Sequence, residues 1–472
     1  MVRAATVLAI AAALALSPSA LAAPRIPAPR APQNPFFAPN PANNIHNDTW
    51  MTDAYRRPGP RGPAFTTSLG PLPPSVCGSI TFDSRGRIVT VCPSLVAPPA
   101  LRLIDPRTLA VLAEYTLPDA PPPPGTPGFQ NFTGGGYFFL DHRDRVWSAT
   151  KTSHLFVMAL ARDGRSFRKV RDYDLTRVVT GDERVTSALP DFRGRIWFVT
   201  KAHGKVGVLD PRTRRIRVLR TGEEIENSFT VGRDGVYIVS DRHMYRFGVG
   251  RGGRPRVEWK ARYRNSGVRK PGQVDAGSGT TPTILPGGYV AITDNADPMN
   301  VVVYRTGKRL RRGKRRTVCE VPVFRRGASA TENSLIGSGR SLIAENNYGY
   351  QDPFGPMAGA ITEPGFARVD VARDGRSCRR VWTNDTVRGA SVVPKLSTAT
   401  QIVYAYAQDP TPLGTRMWSW VGMSARSGRE VFREPAGADL LANNNYAGLA
   451  LGPHGAAYLG TVGGIRALRD AP

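Results

Sequence analysis

The sequence predicts an all-β protein built from one small sheet repeated many times, and three observations support this prediction. The 472 residues include 49 glycines and 41 prolines, more than a helical protein carries. A hydrophobic content of 41% is enough for a sizeable core. Above all, a strand–turn–strand pattern recurs along the chain, with β-branched and aromatic residues beside Asp- or Gly-containing turns, which is typical of β-hairpins.

The repeat predicts the architecture. Eight hairpins turn near Gly86, Asp144, Gly194, Gly235, Gly287, Gly339, Thr400 and Gly455, and their spacing of roughly 40–60 residues is typical of a propeller blade. Most units contain a second hairpin downstream, so that each unit has four strands, A to D. We therefore predict a single β-propeller over residues 65–472 with eight four-stranded blades, seven being the alternative.

The last unit is too short for four strands. Its end, 464–468, can supply only strand C. We expect residues 65–69, near the N-terminus, to supply the missing outer strand, because this exchange closes the ring and leaves no free sheet edge.

The N-terminus predicts export. Arg3, an apolar stretch over 4–16 and the Ala20-Leu21-Ala22 cleavage site indicate a signal peptide over residues 1–22. We expect residues 23–64 to form a Pro/Ala-rich tether and arm. No later stretch is long and apolar enough for a transmembrane helix, so the predicted location is secreted, or extracytoplasmic.

The four cysteines of an exported chain predict two disulfides. Cys77 and Cys92 lie on either side of the first hairpin and should face each other across its two strands. Cys319 and Cys378 would form the second bond.

Propeller geometry predicts where the polar side chains meet. The B–C loops and D–A crossings lie on one face, where the central funnel opens. Equivalent B–C positions hold His154, His203 and His243, and D–A segments hold Glu226 and Glu332. These five are the candidate catalytic residues, since histidine and carboxylate groups perform acid–base chemistry near neutral pH.

Further residues on the same face are candidate ligands. The candidate substrate-binding residues are Lys151, Lys201, Arg242, Asn227, Asn333, Asn346, Asn347 and Tyr348. The candidate metal ligands are Asp294, Asp297 and Glu345, whose oxygens suit Ca²⁺ or another divalent ion. The cations favour a substrate that carries a carboxylate or phosphate.

At the level of these repeated hairpins, the chain resembles the broad superfamily of quinoprotein-like and related extracellular propellers over residues 65–472. The funnel-face His and Glu residues also resemble those of propeller lyases such as streptogramin lyase, which use them with a divalent ion. The chain has no adjacent Cys-Cys pair and no repeated tryptophan-docking motif.

Three functions follow as hypotheses. The first is a lyase or hydrolase acting on an anionic saccharide or similar extracellular small molecule or polysaccharide. The second is a quinone-dependent dehydrogenase, with carboxylate and amide oxygens on Ca²⁺ and Lys or Arg on the quinone carboxylates. The third is a non-enzymatic binding scaffold.

The charge of the chain is strongly positive, with a formal value of +27. The run Lys308–Arg316 should cap the C–D hairpin of the fifth blade, on the face away from the funnel. An exported chain without stacking motifs does not suggest a nucleic-acid partner. The run therefore predicts contact with an acidic wall polymer or with anionic lipid head groups.

Overall fold

The computed structural model describes residues 23–94, 97–122, 133–355, 360–412 and 416–472. The predicted signal peptide, residues 1–22, lies outside them. In these residues the chain forms strands, numbered in chain order, with one short helix, α1 (Asp439–Ala442), and two 3-10 turns at Arg251–Gly253 and Pro453–Gly455. In the part of the chain that is described, no helix has the length and hydrophobicity to cross a bilayer.

The first half of the chain contributes two N-terminal strands and four sheets. The strands are β1 (Ala54–Tyr55) and β2 (Phe65–Pro71); β3 (Ser79–Phe82), β4 (Ile88–Cys92), β5 (Ala100–Ile104) and β6 (Val111–Thr116); β7 (Phe139–Leu140), β8 (Val146–Ala149), β9 (His154–Leu160) and β10 (Phe167–Asp174); β11 (Val185–Pro190), β12 (Ile196–Thr200), β13 (Lys205–Leu209) and β14 (Ile216–Arg220); and β15 (Thr230–Val231), β16 (Val236–Val239), β17 (His243–Val249) and β18 (Pro255–Arg262).

The second half continues the same pattern. Its strands are β19 (Thr283–Leu285), β20 (Tyr289–Thr293), β21 (Asn300–Arg305) and β22 (Thr317–Pro322); β23 (Ile336–Ser338), β24 (Ser341–Glu345), β25 (Phe366–Val371) and β26 (Cys378–Asn384); β27 (Lys395–Ser397), β28 (Ile402–Pro410), β29 (Arg416–Ser424) and β30 (Glu430–Ala438); and β31 (Ala450–Leu451), β32 (Ala457–Thr461) and β33 (Gly464–Asp470).

These strands form eight antiparallel sheets, the blades of an eight-bladed β-propeller. Blades 1 to 7 are consecutive in the chain, whereas blade 8 has the order β2-β33-β32-β31. Strand β2 pairs antiparallel with β33 from Phe65 opposite Asp470 to Pro71 opposite Gly464. The predicted fold, the blade number and closure of the ring by the N-terminal strand are therefore confirmed.

The A–B turns of blades 1 to 3 form because an aspartate organises each of them. In blade 1, Asp83 accepts hydrogen bonds from the backbone of Arg85 and Arg87 and binds the Arg87 guanidinium at 2.8 Å. Asp141 and Asp191 repeat this arrangement in blades 2 and 3, and each also accepts a hydrogen bond from a buried tryptophan, Trp147 or Trp197. The recurring Asp and Arg residues therefore stabilise the turns, as the sequence pattern predicts.

Both predicted disulfides are present, which indicates an oxidising compartment. Cys77 and Cys92 are bonded and face each other across the two chains, with their Cα atoms 4.0 Å apart and Ser75 bridged to Ser94 just beyond them. The ladder of β3 with β4, in which Ser79 pairs with Val91, is shifted from this register by one residue. The Cys319–Cys378 bond connects the outer strands of blades 5 and 6, β22 and β26.

Residues 23–64 do not form a free tether, because the segment 44–55 contacts the inner strands of several blades. The backbone carbonyls of Trp50, Thr52 and Asp53 accept hydrogen bonds from the inner strands of blades 5, 6 and 7, at 3.0, 2.8 and 3.0 Å. Strand β1 then pairs parallel with β27. The inner edge of each blade presents backbone groups that need partners, and the arm supplies them.

The earlier part of the arm is also buried. Phe37 and Asn44 form isolated bridges with the inner strand of blade 2, and Asn34 donates to the Pro190 carbonyl of blade 3 at 2.9 Å. The Ile26 backbone N–H donates a hydrogen bond of 2.7 Å to the side-chain oxygen of Gln401. A Pro- and Ala-rich composition correctly predicts an extended segment. It does not predict whether that segment packs against the blades. Within the arm, the segment 44–55 is the innermost layer of the propeller.

Candidate functional site

A cavity of about 230 Å³ opens where the inner strands begin, on the face of the B–C loops and D–A crossings. The arm contributes part of its wall through Ile45 and His46. Much of the remaining wall is apolar: Val76, Val393, Leu440 and Val462. Its polar side chains are Tyr137, Glu226, Asn227, Glu332, Asn333, Ser334, Asn445 and Tyr446. An enclosed apolar wall with a few converging polar groups is the usual form of a small-molecule site.

His46 connects this cavity to a buried ion pair. Its Nε2 lies 3.4 Å from Ser334 Oγ, and its Nδ1 lies 3.0 Å from Asp53 Oδ2. Asp53 in turn binds Lys395 Nζ, which also donates to the Ile45 carbonyl at 2.6 Å. The His46 and Asp53 residues are 2% and 0% exposed, so water does not screen these contacts. We call His46, Asp53 and Ser334 the cavity triad.

An ionised Asp53 beside Nδ1 favours one tautomer of the neutral imidazole. Burial alone would raise the pKa of Asp53, but His46 and Lys395 more than offset that effect and lower the pKa of this carboxyl below its usual value. An ionised Asp53 accepts the proton-bearing Nδ1 of His46. Nε2 is then left as an acceptor for the Ser334 hydroxyl, which is the arrangement of a general base.

Three carboxyl groups lie together on or behind another wall of the cavity. The Glu332 carboxylate accepts a hydrogen bond from the Val274 backbone at 3.1 Å, and that of Asp275 accepts one from Gly277 at 2.9 Å. Glu226 forms an ion pair of 2.5 Å with Lys201. We call Glu226, Glu332 and Asp275 the carboxyl cluster.

Burial makes the carboxyl cluster weakly acidic. It raises the pKa of Glu226 to about 7, although the neighbouring Lys201 opposes the shift. The pKa values of Glu332 and Asp275 are raised well above their usual values, first by burial and then by the charges of the other cluster members. Near neutral pH the cluster therefore retains protons, and its carboxyls can donate hydrogen bonds as well as accept them.

The three histidines predicted from the repeat lie outside the cavity wall. His154 and His243 are the first residues of β9 and β17, and His203 lies in the loop before β13, so all three are on the predicted face in neighbouring blades. Each is paired with its own acid: His154 with Asp172 at 2.7 Å, His203 with Asp182 at 3.5 Å and His243 with Glu223 at 2.8 Å. The repeat placed them correctly around the ring, but on strand C or its loop rather than on the innermost strand.

The predicted cations are engaged by carboxylates. Lys201 is held by Glu226, as described above, and Lys151 by Asp119 at 2.6 Å. Arg242 is 3.4 Å from Asp241 with its side chain mostly exposed. These three side chains therefore reach acidic neighbours of their own and lie outside the cavity wall.

The predicted amides fall into two groups. Asn227 and Asn333 line the cavity, where Asn227 accepts a hydrogen bond of 3.2 Å from the Tyr137 hydroxyl. Asn346 and Asn347 instead organise loops, and Asn347 fixes the backbone of Glu332 through a bond of 2.8 Å. Tyr348 donates its backbone N–H to Asn346 and is outside the cavity wall.

The predicted metal ligands are separated and occupied by loop contacts. Asp294 accepts hydrogen bonds from the backbone and side chain of Asn300 at 2.7 and 2.8 Å, and Asp297 accepts one from Gly327 at 2.7 Å. Glu345 accepts one from Asn333 at 2.5 Å. Among the described residues no group of three or more His, Cys, Asp or Glu side chains is placed to hold a metal ion. The structure therefore does not bring Asp294, Asp297 and Glu345 together as one metal site, and their role as ligands stays a prediction.

Sequence reasoning missed the cavity triad and Asp275. His46 and Asp53 belong to the segment expected to be a tether, and no periodic pattern marks them. Ser334 directly follows the predicted Glu332 and Asn333 and belongs to the same D–A segment. The available signal was the density of Asn, Asp and His in 43–53, since a free tether has no reason to carry so many hydrogen-bonding side chains.

Comparisons with known proteins extend the fold assignment. No family model matches the chain. An uncharacterised protein of Archaeoglobus fulgidus is 25% identical over 494 residues, covering 94% of this chain and 92% of its own. The quinohemoprotein alcohol dehydrogenase of Comamonas testosteroni is a structural neighbour with a TM-score of 0.57 and 11% identity, covering 93% of this chain and 81% of its own. A streptogramin B lyase aligns with a TM-score of 0.43 and 12% identity over 89% of this chain and 99% of its own.

These neighbours show the propeller fold alone. A quinone with Ca²⁺, the alternative suggested by the resemblance, can be tested against the residues present. Its carboxylates would need cations on the wall, but the described wall residues include no lysine or arginine, and Lys201 beside the wall is bound to Glu226. The described residues around the cavity do not fit that cofactor.

Proposed function

We propose that the protein is a secreted hydrolase that cleaves an ester-type bond of a small substrate in the central cavity. The observation that carries the proposal is the cavity triad, in which His46 Nδ1 is held by Asp53 and Nε2 faces the Ser334 hydroxyl. If these residues only anchored the arm, the ion pair between Asp53 and Lys395 would be sufficient. An imidazole on the cavity wall beside a hydroxyl would then have no purpose.

The first step follows from the triad. The Ser334 oxygen attacks the carbonyl carbon of the substrate while His46 Nε2 accepts the hydroxyl proton. Asp53 stabilises the imidazolium that results. The distance of 3.4 Å is at the long end for such a pair, and tightening on substrate binding is usual for catalytic hydrogen bonds.

The carboxyl cluster supports the next steps. A protonated Glu332 would donate a hydrogen bond to the oxyanion of the tetrahedral intermediate, as neutral carboxyl groups can in apolar sites. His46 then returns its proton to the leaving alcohol. Water, deprotonated by His46, attacks the acyl-serine and releases the acid, which restores Ser334.

The cavity wall favours an uncharged substrate, whereas the sequence predicts an anionic one. Its apolar side chains favour an uncharged, largely apolar substrate over an anionic saccharide, because the described wall residues include no lysine or arginine that could pair with an anion. The small volume favours a short acyl or lactone compound.

The proposal is tested with p-nitrophenyl esters of increasing chain length. We expect short esters to be hydrolysed and Ser334→Ala, His46→Gln and Asp53→Asn each to lower kcat/KM by about 10³-fold or more. The matched control is His203→Gln, an exposed histidine outside the cavity, which should retain activity. Wild-type activity retained in His46→Gln, or no turnover of any ester or lactone by the wild type, would contradict the proposal.

A further inference from the structure

The face opposite the cavity contains a second concave surface, strongly basic and independent of the triad. It is a groove of about 860 Å³ between the C–D hairpin of blade 5 and the corresponding hairpin of blade 6. Its charged lining residues are Arg305, Arg312, Lys314, Arg315, Arg376 and Glu320. We call this surface the basic groove.

The two hairpins are held at a fixed separation. The Cys319–Cys378 disulfide joins their outer strands, and Cys319 lies in the groove. Arg305 adds one hydrogen bond between the hairpins, to the Gly375 carbonyl of blade 6 at 2.7 Å, and a second within blade 5, to the Arg315 carbonyl at 2.8 Å. The groove is therefore a built feature of the ring.

Its positive charge is not balanced by the protein. None of the ion pairs found among the described residues includes Arg312, Lys314, Arg315 or Arg376, and all four residues are exposed. The acidic lining residue, Glu320, is bound by Arg264 at 2.9 Å. The turn itself requires a glycine at Gly313, where φ is 78°, but it does not require flanking cations. Like charges this close repel one another unless an anion lies between them.

We propose that the basic groove binds a linear polymer with phosphate groups repeated along its chain. A recessed channel admits a chain, whereas a flat bilayer would contact its two rims. Arginine predominates over lysine in the lining, and its guanidinium binds phosphate through paired hydrogen bonds. The high charge density of a phosphate polymer is complementary to four unpaired cations. Nucleic acid is less suitable, because the groove lining has no aromatic side chains on which bases could stack.

The probe is labelled long-chain inorganic polyphosphate, titrated against the full-length protein at 50 and 200 mM salt. We expect the logarithm of the affinity to fall with the logarithm of salt concentration with a slope of about −3, since each charge neutralised on a single strand contributes about −0.7. The triple variant Arg312→Ala, Lys314→Ala and Arg315→Ala should lose at least about tenfold in affinity at 50 mM salt and have a shallower slope. These residues lie in an exposed turn, so the ester hydrolysis of the variant should be unchanged.

The matched control removes the same charge elsewhere on the same face. Arg85→Ala, Arg143→Ala and Arg193→Ala change three exposed A–B turn arginines of blades 1 to 3 and should reduce binding far less. Equal losses in the two triple variants would show a general charge effect and overturn the proposal, as would the absence of polyphosphate binding. Tighter binding of polygalacturonate or of anionic lipid vesicles would overturn the choice of a phosphate polymer, and tighter binding of single-stranded DNA would overturn the exclusion of nucleic acids.

Discussion

Single residues determine the chemistry of the cavity, and His46 is the clearest example. Its neighbours in sequence gave no strand or turn signal, and its role depends on Asp53, Lys395 and Ser334, which reach it only through the folded ring. Glu226 and Glu332, in contrast, could be predicted as members of the cavity wall because they start inner strands of a recognisable repeat. The periodicity of the sequence locates residues that belong to the repeat. It does not locate residues of the arm, which lies outside the repeat.

The raised pKa of Glu226 predicts a pH-dependent stability. In the unfolded chain this carboxyl titrates near 4.5, and in the folded protein its pKa is about 7. Between these values the folded state binds more protons, so the free energy of unfolding falls as pH rises, by about 3 kcal/mol for this group. Glu226→Gln should remove that part of the loss between pH 5 and pH 8, measured by chemical denaturation.

The exposed Glu430→Gln is the control for this experiment and should unfold with the pH dependence of the wild type. If Glu226→Gln keeps the full wild-type loss of stability between pH 5 and pH 8, the burial of this carboxyl is not the cause.

At the scale of elements, the arm departs most from the sequence-based prediction. A free tether could be deleted over 24–41 with little effect on stability, but Ile26, Asn34 and Phe37 are buried against three different blades. The strands themselves were predictable, because Asp-centred turns and alternating apolar residues are local signals. The packing of the arm depends on unpaired inner edges, which exist only once the blades have formed.

Phe37 tests the structural role of the arm. Its ring packs edge-on against Phe139, with the ring centroids 5.3 Å apart, and its residue is 2% exposed. Phe37→Ala should lower the free energy of unfolding by about 3–5 kcal/mol, the usual cost of removing a buried phenylalanine. The neighbouring, half-buried Phe36→Ala is the control and should cost clearly less; similar small losses in both variants would show that the arm is not packed in the ring.

Strand β2 tests closure of the ring. Deleting residues 65–70 should expose the edge of β33 and cause aggregation or loss of folding, because an unpaired strand edge pairs with other chains. A deletion of equal length, residues 308–313, lies between β21 and β22 and should leave the protein soluble. A soluble 65–70 deletion with an unchanged melting temperature would contradict the closure.

At the scale of the whole molecule, the ring places the cavity and the basic groove on opposite faces. The number of blades and both disulfide pairs could be predicted from the sequence. The spacing of the repeated hairpins indicates the number of blades, and the number and positions of the cysteines indicate the pairs. The cavity could be predicted only in part. Its rim residues belong to the repeat, but its histidine, His46, comes from the arm, and the outer position of strand C moves His154, His203 and His243 away from the centre.

The central claim is that Ser334 is a nucleophile activated by His46. The most direct measurement is labelling of the purified protein with a fluorophosphonate, followed by peptide mapping of the modified residue by mass spectrometry. We predict a covalent adduct on Ser334 that forms in the wild type and in His203→Gln but not in His46→Gln. An unlabelled wild type, a label on another residue, or equal labelling of Ser334 without His46 would contradict the account.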